Sequence, residues 1–239
     1  MRLIGLPGVF APLSDSRLLA AHVRAASGPG VRMLDACTGS GIIAISAAVA
    51  GAEVTATDVS RRAVFAVRLN ARLNGTRVRA LHGDLLGPVR GERFDLVASN
   101  PPYVPDDEPE RRVRGLERAW RAGDDGRAIL DRLCDEAPGV LSPGGSLLLV
   151  HSSVCGEDAT LRRLADRGLA ATVIDRRRGA LGPLLHAQAA RLERRGLLAE
   201  GKREEELIVV RATAPTAGKR PGVHTPLDPT APAVSAPGR

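Results

Sequence analysis

Between residues 14 and 211 the chain alternates short apolar runs of strand length with longer amphipathic stretches, and this alternation restricts its fold more tightly than anything else in the sequence. Runs at 31–37, 53–58, 78–82, 94–99, 146–151, 172–176 and 207–211 predict seven strands. Ser14 is placed to cap a helix carrying Leu18, Leu19 and Val23 on one side. Ser60 is placed to cap another, reaching about residue 74, with Val64, Val67 and Leu69 as its apolar contacts. Further helices are expected over 41–50, 127–136, 157–167 and 184–195, and Pro143-Gly144-Gly145 reads as a turn before the fifth strand. Strand–helix–strand repetition implies an α/β fold: a doubly wound, mostly parallel seven-stranded sheet with helices on both faces. Ligands of such sheets bind outside the carboxyl ends of the strands. Residues 212–239 are rich in Pro, Ala, Thr and Gly and lack apolar periodicity; they read as a disordered tail, leaving 1–211 as one domain.

Hydrophobic residues make up 44% of the 239, enough for one large core, but aromatics only 2%, so Ala, Val, Leu and Ile must build it. That scarcity argues against a stacking platform for single-stranded nucleic acid. Cys37, Cys134 and Cys155 lie far apart with no CxxC pair, which excludes a zinc ribbon or a disulfide scaffold, and no metal is expected. The net charge is +7 and almost all of the positive charge is arginine, Lys202 and Lys219 being the only lysines. A basic balance fits an RNA-rich partner such as the ribosome; it equally fits an arginine- and alanine-heavy genome, and the sequence leaves both open. No stretch approaches the ~18 apolar residues of a membrane span. Residues 1–6 lack the layout of a secretory signal, so a cytoplasmic location is expected.

The first strand runs into Asp35-Ala36-Cys37-Thr38-Gly39-Ser40-Gly41, where Gly39 and Gly41 allow a tight turn into a helix and close approach of a ligand. The second strand ends in Asp58, a carboxylate able to accept from two ribose hydroxyls. The third ends in Gly83-Asp84, an acceptor for an exocyclic adenine amine. The GxGxxG fingerprint is missing, since Gly41 is followed by Ile42, Ile43 and Ala44, so a nucleoside without a pyrophosphate suits this rim better than a dinucleotide.

The fourth strand ends in Ser99-Asn100-Pro101-Pro102-Tyr103. Two prolines fix φ and donate no N–H, leaving the Asn100 and Pro101 carbonyls as outward acceptors. An Asn side-chain oxygen and a neighbouring carbonyl can hold both hydrogens of a planar NH2 group, while Tyr103 offers a flat face for stacking. The lone pair of an amide or aryl amine is delocalised. Fixing both hydrogens aims the nitrogen at an electrophilic methyl group, and the rate gain comes from positioning. Neither Asn nor Pro can be a general base, so none is assigned.

Asp35–Gly41, Asp58 and Asn100–Tyr103 together resemble class I S-adenosylmethionine-dependent methyltransferases that modify planar nitrogens. Within them the chain is similar to the HemK-type protein-glutamine methyltransferases, which act on the Gly-Gly-Gln loop of translation release factors, in their short branch without an N-terminal helical domain. Two further segments carry the likeness. Residues 10–19, with Pro12, Asp15, Ser16, Leu18 and Leu19, resemble a Pro-x-x-Asp-Thr-x-Leu-Leu segment that covers the cofactor; Gly115–Arg127 resembles a stretch that closes the pocket. The resemblance implies S-adenosyl-L-methionine as cofactor, held by Asp15, Ser16, Asp35, Thr38, Gly39, Gly41, Asp58, Asp84 and Asn100. It implies Asn100, Pro101 and Tyr103 as the catalytic set, with Pro102 joining them on the substrate side. It also implies a protein substrate such as a release factor, and a small activating subunit. Cys37 departs from the usual glycine and Ser16 from the usual threonine, both with small side chains.

The helix near 184–195 reads as an addition between the last two strands that either carries substrate contacts or covers the sheet edge, the second being favoured. Arg176-Arg177-Arg178 reads as a solvated strand end, His151 as structural, and Trp120 as either core or pocket wall. Three rival functions remain at this point: an RNA or DNA methyltransferase acting on an adenine or guanine amine, a catalytically silent cofactor-binding subunit, and a small-molecule N-methyltransferase.

Overall fold

The structure, a computed structural model, describes residues 1–105 and 122–216. The described residues form one seven-stranded sheet: β1 (Arg32–Ala36), β2 (Glu53–Asp58), β3 (Arg79–His82), β4 (Phe94–Ser99), β5 (Leu141–Ser152), β6 (Ala170–Ala180) and β7 (Glu204–Thr213), in the order β3-β2-β1-β4-β5-β7-β6. The pairs among β1–β5 are parallel, and β7 inserts antiparallel between β5 and β6. That insertion brings the beginning of β7 to the rim where β1, β4 and β5 end, because Ser152 pairs with Leu207. Seven described helices flank the sheet: α1 (Ser14–Ala26), α2 (Ile42–Val49), α3 (Arg61–Leu73), α4 (Ala128–Glu136), α5 (Glu157–Asp166), α6 (Pro183–Ala187) and α7 (Ala189–Arg194). Among the described residues no helix is long and apolar enough to cross a membrane.

The period-2 pattern of the strands divides the core into two layers. Met33, Leu96, Leu148 and Val209 face Leu19, Val23, Ile43 and Val67 of α1–α3. Their chain neighbours Leu34, Val97, Leu147 and Val210 face Leu130, Leu133 and Leu164 of α4 and α5. Each fully buried Leu, Val or Ile contributes roughly 1.5–3 kcal/mol, which explains how a core almost without rings suffices. A third apolar cluster joins Val104 and Val154 to Leu181, Leu185, Ala189, Leu192 and Leu198 around α6 and α7.

Several expectations are corrected. Ser14 is the first helical residue of α1 rather than its cap; Leu13 holds that position, without a side-chain cap. Ser60 does cap α3, accepting from the Ala63 N–H. Pro143-Gly144-Gly145 is a bulge inside β5: the register jumps from Phe94↔Leu141 to Leu96↔Ser146. The sixth and seventh strands are longer than their apolar runs, since charge ladders continue them. Arg176 bonds Glu157 and Glu206, and Arg178 bonds Glu204, so that basic run is a paired ribbon. The segment 184–195 is two short helices broken at Gln188. The domain runs past 211, with Ala212 fully buried and the Ala214 N–H donating to the Gly145 carbonyl. Trp120 and the first part of Gly115–Arg127 lie outside the described residues, as do residues 217–239.

Candidate active site

One cavity of about 900 Å3 opens along the carboxyl ends of β1, β2 and β4 and is closed from the other sides by residues 8–16 and by α6. Such a volume lies at the upper end of small-molecule sites. Thr38, Gly39, Asp58, Asp84, Asp15, Ser16 and Asn100–Tyr103 all line it, so residues scattered over nearly ninety positions of sequence meet at one rim.

Its floor is the β1–α2 turn. Gly39 takes φ +54°, and a Cβ there would meet nothing nearer than the Phe10 carbonyl at 4.0 Å, so it would protrude into the cavity. The Gly39 N–H donates to Asp58 Oδ2 at 3.0 Å, and the Ser60 N–H to Asp58 Oδ1 at 2.8 Å. Both carboxylate oxygens are thereby fixed in direction. Cys37 stands at φ +59°, a region that L side chains enter at a cost and glycine freely. The glycine usual at this position therefore has a backbone reason. Burial pushes the Cys37 thiol well above its ordinary range, with the charge of Asp58 adding to it.

Asp35 and Gly41 sit behind the cavity wall. Gly41, at φ +89°, backs onto Val67 of α3. Asp35 is fully buried; its Oδ2 accepts from Thr38 Oγ1 at 2.6 Å and from the Ala44 N–H at 3.0 Å. Burial raises its carboxyl to about 7, against the lowering effect of those two bonds. Its part in the site is to shape the turn.

At the other end, Ser99 Oγ donates to the Ala36 carbonyl and locks the ends of β4 and β1 together. Asn100 Nδ2 then donates to Ser16 Oγ at 2.9 Å, Ser16 donates to Asp15 Oδ1 through its N–H at 2.6 Å, and Tyr103 Oη donates to Asp15 Oδ2 at 2.7 Å. This chain settles the carboxamide's orientation. The Ser16 hydroxyl donates its own proton to Asp15 Oδ1 at 3.3 Å and so meets Asn100 as an acceptor, which takes the amide nitrogen and leaves the Asn100 oxygen without a partner, buried at the cavity wall. Burial, then the Asp15 charge, pushes the Tyr103 phenol well above its ordinary range and keeps it neutral. Behind Tyr103, Gly126 lies so close that a Cβ would come within 2.4 Å of the Tyr103 carbonyl, and the Ala122 N–H donates to Val104. The described end of Gly115–Arg127 thus braces the turn.

Three features escaped the sequence reading. Arg132 of α4 reaches the cavity and grips Asp84 with both guanidinium arms, at 2.8 and 3.3 Å. Gly182, Pro183, Leu184 and Leu185 line the cavity, so the added segment forms a wall as well as a cover. Glu205 of β7 lines it too. A helical (i, i+4) pairing of Arg132 with Glu136 was visible, but nothing in the sequence pointed Arg132 at Asp84.

A parallel sheet of this order with a glycine turn, a strand-end aspartate and an Asn-Pro-Pro-Tyr rim defines a class I, S-adenosylmethionine-dependent methyltransferase. Residues 1–115 match the methyltransferase small domain family. A Methanocaldococcus jannaschii protein named for protein N5-glutamine methyltransferase activity is 34% identical over 187 residues, covering 78% of this chain and 93% of that one. The mouse methyltransferase HEMK2 is 34% identical over 173 residues, 69% of this chain and 81% of its own. The Bordetella pertussis release factor glutamine methyltransferase is 39% identical over 156 residues, covering 61% of this chain and 57% of that longer one. In fold the chain is similar to the E. cuniculi Mtq2–Trm112 complex described as responsible for methylation of the eRF1 translation termination factor: TM-score 0.60, 21% identity, 87% of this chain and 99% of that one. The chain belongs to the HemK-type protein N5-glutamine methyltransferase family, and S-adenosylmethionine is its cofactor. The cavity fits that group. It has room above Gly39 and, at Asp58, a fixed carboxylate for a ribose.

Proposed function

We propose that this enzyme methylates the side-chain amide of a glutamine in a translation release factor, with the cavity's two ends divided between cofactor and acceptor. The observation that carries this reading is the Asn100 oxygen, buried without a partner at the cavity wall while Ser16 takes the carboxamide's nitrogen. S-adenosylmethionine supplies an electrophilic methyl group on a sulfonium. Asp58 holds its ribose, the Thr38–Gly39 turn admits its backbone side, and Asp84, steadied by Arg132, faces its base. Asn100 Oδ1 and the Pro101 carbonyl accept the two hydrogens of the acceptor NH2, and the Tyr103 ring, tethered through Asp15, lies flat against the amide with Pro102 behind it. Asp15 and Ser16 act by orienting that pair. Release of the proton needs no base, since the methylated nitrogen is acidic. The methyltransferase domain is read as running from residue 1 to the end of β7 at Thr213. The likeness to a two-chain enzyme supports a small activating subunit here too, and a soluble cytoplasmic setting suits a release-factor substrate.

The test is transfer of labelled methyl from S-adenosylmethionine in a lysate of the source cells, followed by mapping of the label. Label on a glutamine of a release factor is expected. Label in RNA or in a small molecule, or none despite cofactor binding, would overturn the reading. Asn100→Ala should reduce transfer at least a hundredfold and leave the cofactor Kd within about threefold; equal loss of both refutes the division of roles.

A further inference from the structure

Among the described residues of the cavity wall, Glu205 is the one carboxylate that neither the cofactor end nor the Asp15–Ser16 chain uses. It reaches the rim because β7 runs against its neighbours, so residues 204–206 extend beyond the end of β5. The side chain is 94% buried by its 6% exposure. Oε1 accepts from the Gly182 N–H at 2.7 Å, just ahead of α6. Oε2 is buried at the cavity wall without a partner. The charge of Glu205 is felt at Tyr103 and at Cys155, and does not figure among the charges acting on Asp35 or Cys37. That places it on the acceptor side, beyond Asn-Pro-Pro-Tyr.

Holding Gly182 requires only one oxygen, which a glutamine could equally supply. The second oxygen of a buried carboxylate is costly unless a donor meets it. The described lining near Gly182 includes Val104, Pro183, Leu184 and Leu185, whose side chains carry neither a charge nor an acceptor. A guanidinium or ammonium brings several donors that would go unmet there, whereas a single peptide N–H brings one.

We propose that Glu205 reads the acceptor polypeptide, its Oε2 accepting a hydrogen bond from a backbone N–H beside the glutamine that is methylated. This rests on the glutamine-methyltransferase reading above. The wall formed by α6 then serves as a peptide-binding surface, and the added segment between β6 and β7 contributes to selecting the substrate.

The experiment measures steady-state kinetics of the full chain, with its activating subunit if one is required, on a purified release factor carrying a Gly-Gly-Gln loop. Glu205→Gln keeps an oxygen for Gly182 and presents an NH2 where Oε2 stood. The expected result is a KM for the release factor raised about tenfold to a hundredfold, with cofactor Kd within twofold and kcat within threefold. A role confined to holding Gly182 leaves that KM unchanged, and an unchanged value overturns the proposal. Glu205→Asp, which withdraws both oxygens by one methylene, should raise KM likewise, and an unchanged KM in it overturns the proposal even where the Gln variant fails to bind cofactor. Wild-type enzyme that transfers nothing to the release factor sinks the glutamine reading and this proposal together; wild-type transfer with insensitive variants sinks this proposal alone.

Discussion

Asp35 offers a test of the turn that underlies the whole site. In the unfolded chain its carboxyl titrates near 3.8; folded, burial holds the proton until about 7. Between those values the unfolded chain has lost a proton that the folded one keeps, so each pH unit crossed upward favours unfolding by about 1.4 kcal/mol. Stability from this group is therefore full below pH 4 and falls as pH rises toward 7. From pH 5 to pH 7 the loss is about 2 kcal/mol. His151 acts in the opposite sense. It is fully buried, its Nδ1 faces the Ser152 carbonyl, and burial lowers it to about 4, so folding loses about 2 kcal/mol as pH falls from 6.5 to 5. The two nearly cancel in the wild-type protein, and a single pH profile conceals both. Asp35→Asn separates them. Its amide oxygen can take over the bonds from Thr38 and Ala44, while its nitrogen stands where Oδ1 has no partner. Urea titrations without ligand, at half-unit steps from pH 5 to pH 8, measure ΔG of unfolding for both proteins. Relative to wild type, Asp35→Asn should gain about 2 kcal/mol between pH 5 and pH 7, with His151 common to both and removed by subtraction. Profiles parallel to within about 0.5 kcal/mol would refute the claim that Asp35 folds as the protonated acid.

Asp58→Ala should weaken S-adenosylmethionine binding by at least a hundredfold in calorimetry, since two charged hydrogen bonds to the ribose and the anchoring of Gly39 are lost together; a change under tenfold removes the ribose role. Ser16→Ala frees the Asn100 carboxamide to turn and should lower kcat about tenfold, while Ser16→Thr, which keeps the hydroxyl, should stay near wild type. Identical rates for the two variants would show that Ser16 does not orient Asn100.

The residues legible from sequence were those whose role follows from position on a strand. A strand-end aspartate or an Asn-Pro-Pro-Tyr turn declares itself because a parallel sheet gathers all its carboxyl ends at one rim, and chain order then suffices to find Asp58, Asp84 and Asn100. Asp35 belongs to the same motif, but a glycine turn curls back over it, and only the path of that turn shows that Thr38 and Ala44 consume the carboxylate. Arg132 and Glu205 were hidden for a different reason. Each lies on the face of an element whose partner is far along the chain: α4 against the end of β3, and β7 antiparallel against β5. Reading β7 only from its apolar run starts it at Leu207 and cuts off the Glu204–Glu206 stretch as loop. The ladder with Arg176 and Arg178 keeps that stretch extended, and extension is what carries Glu205 past β5 to the cavity. The basic run and the acidic run, each unremarkable in isolation, are thus two halves of one ribbon. Its charge pairing on the outside fixes the backbone that presents an unpaired carboxylate oxygen on the inside.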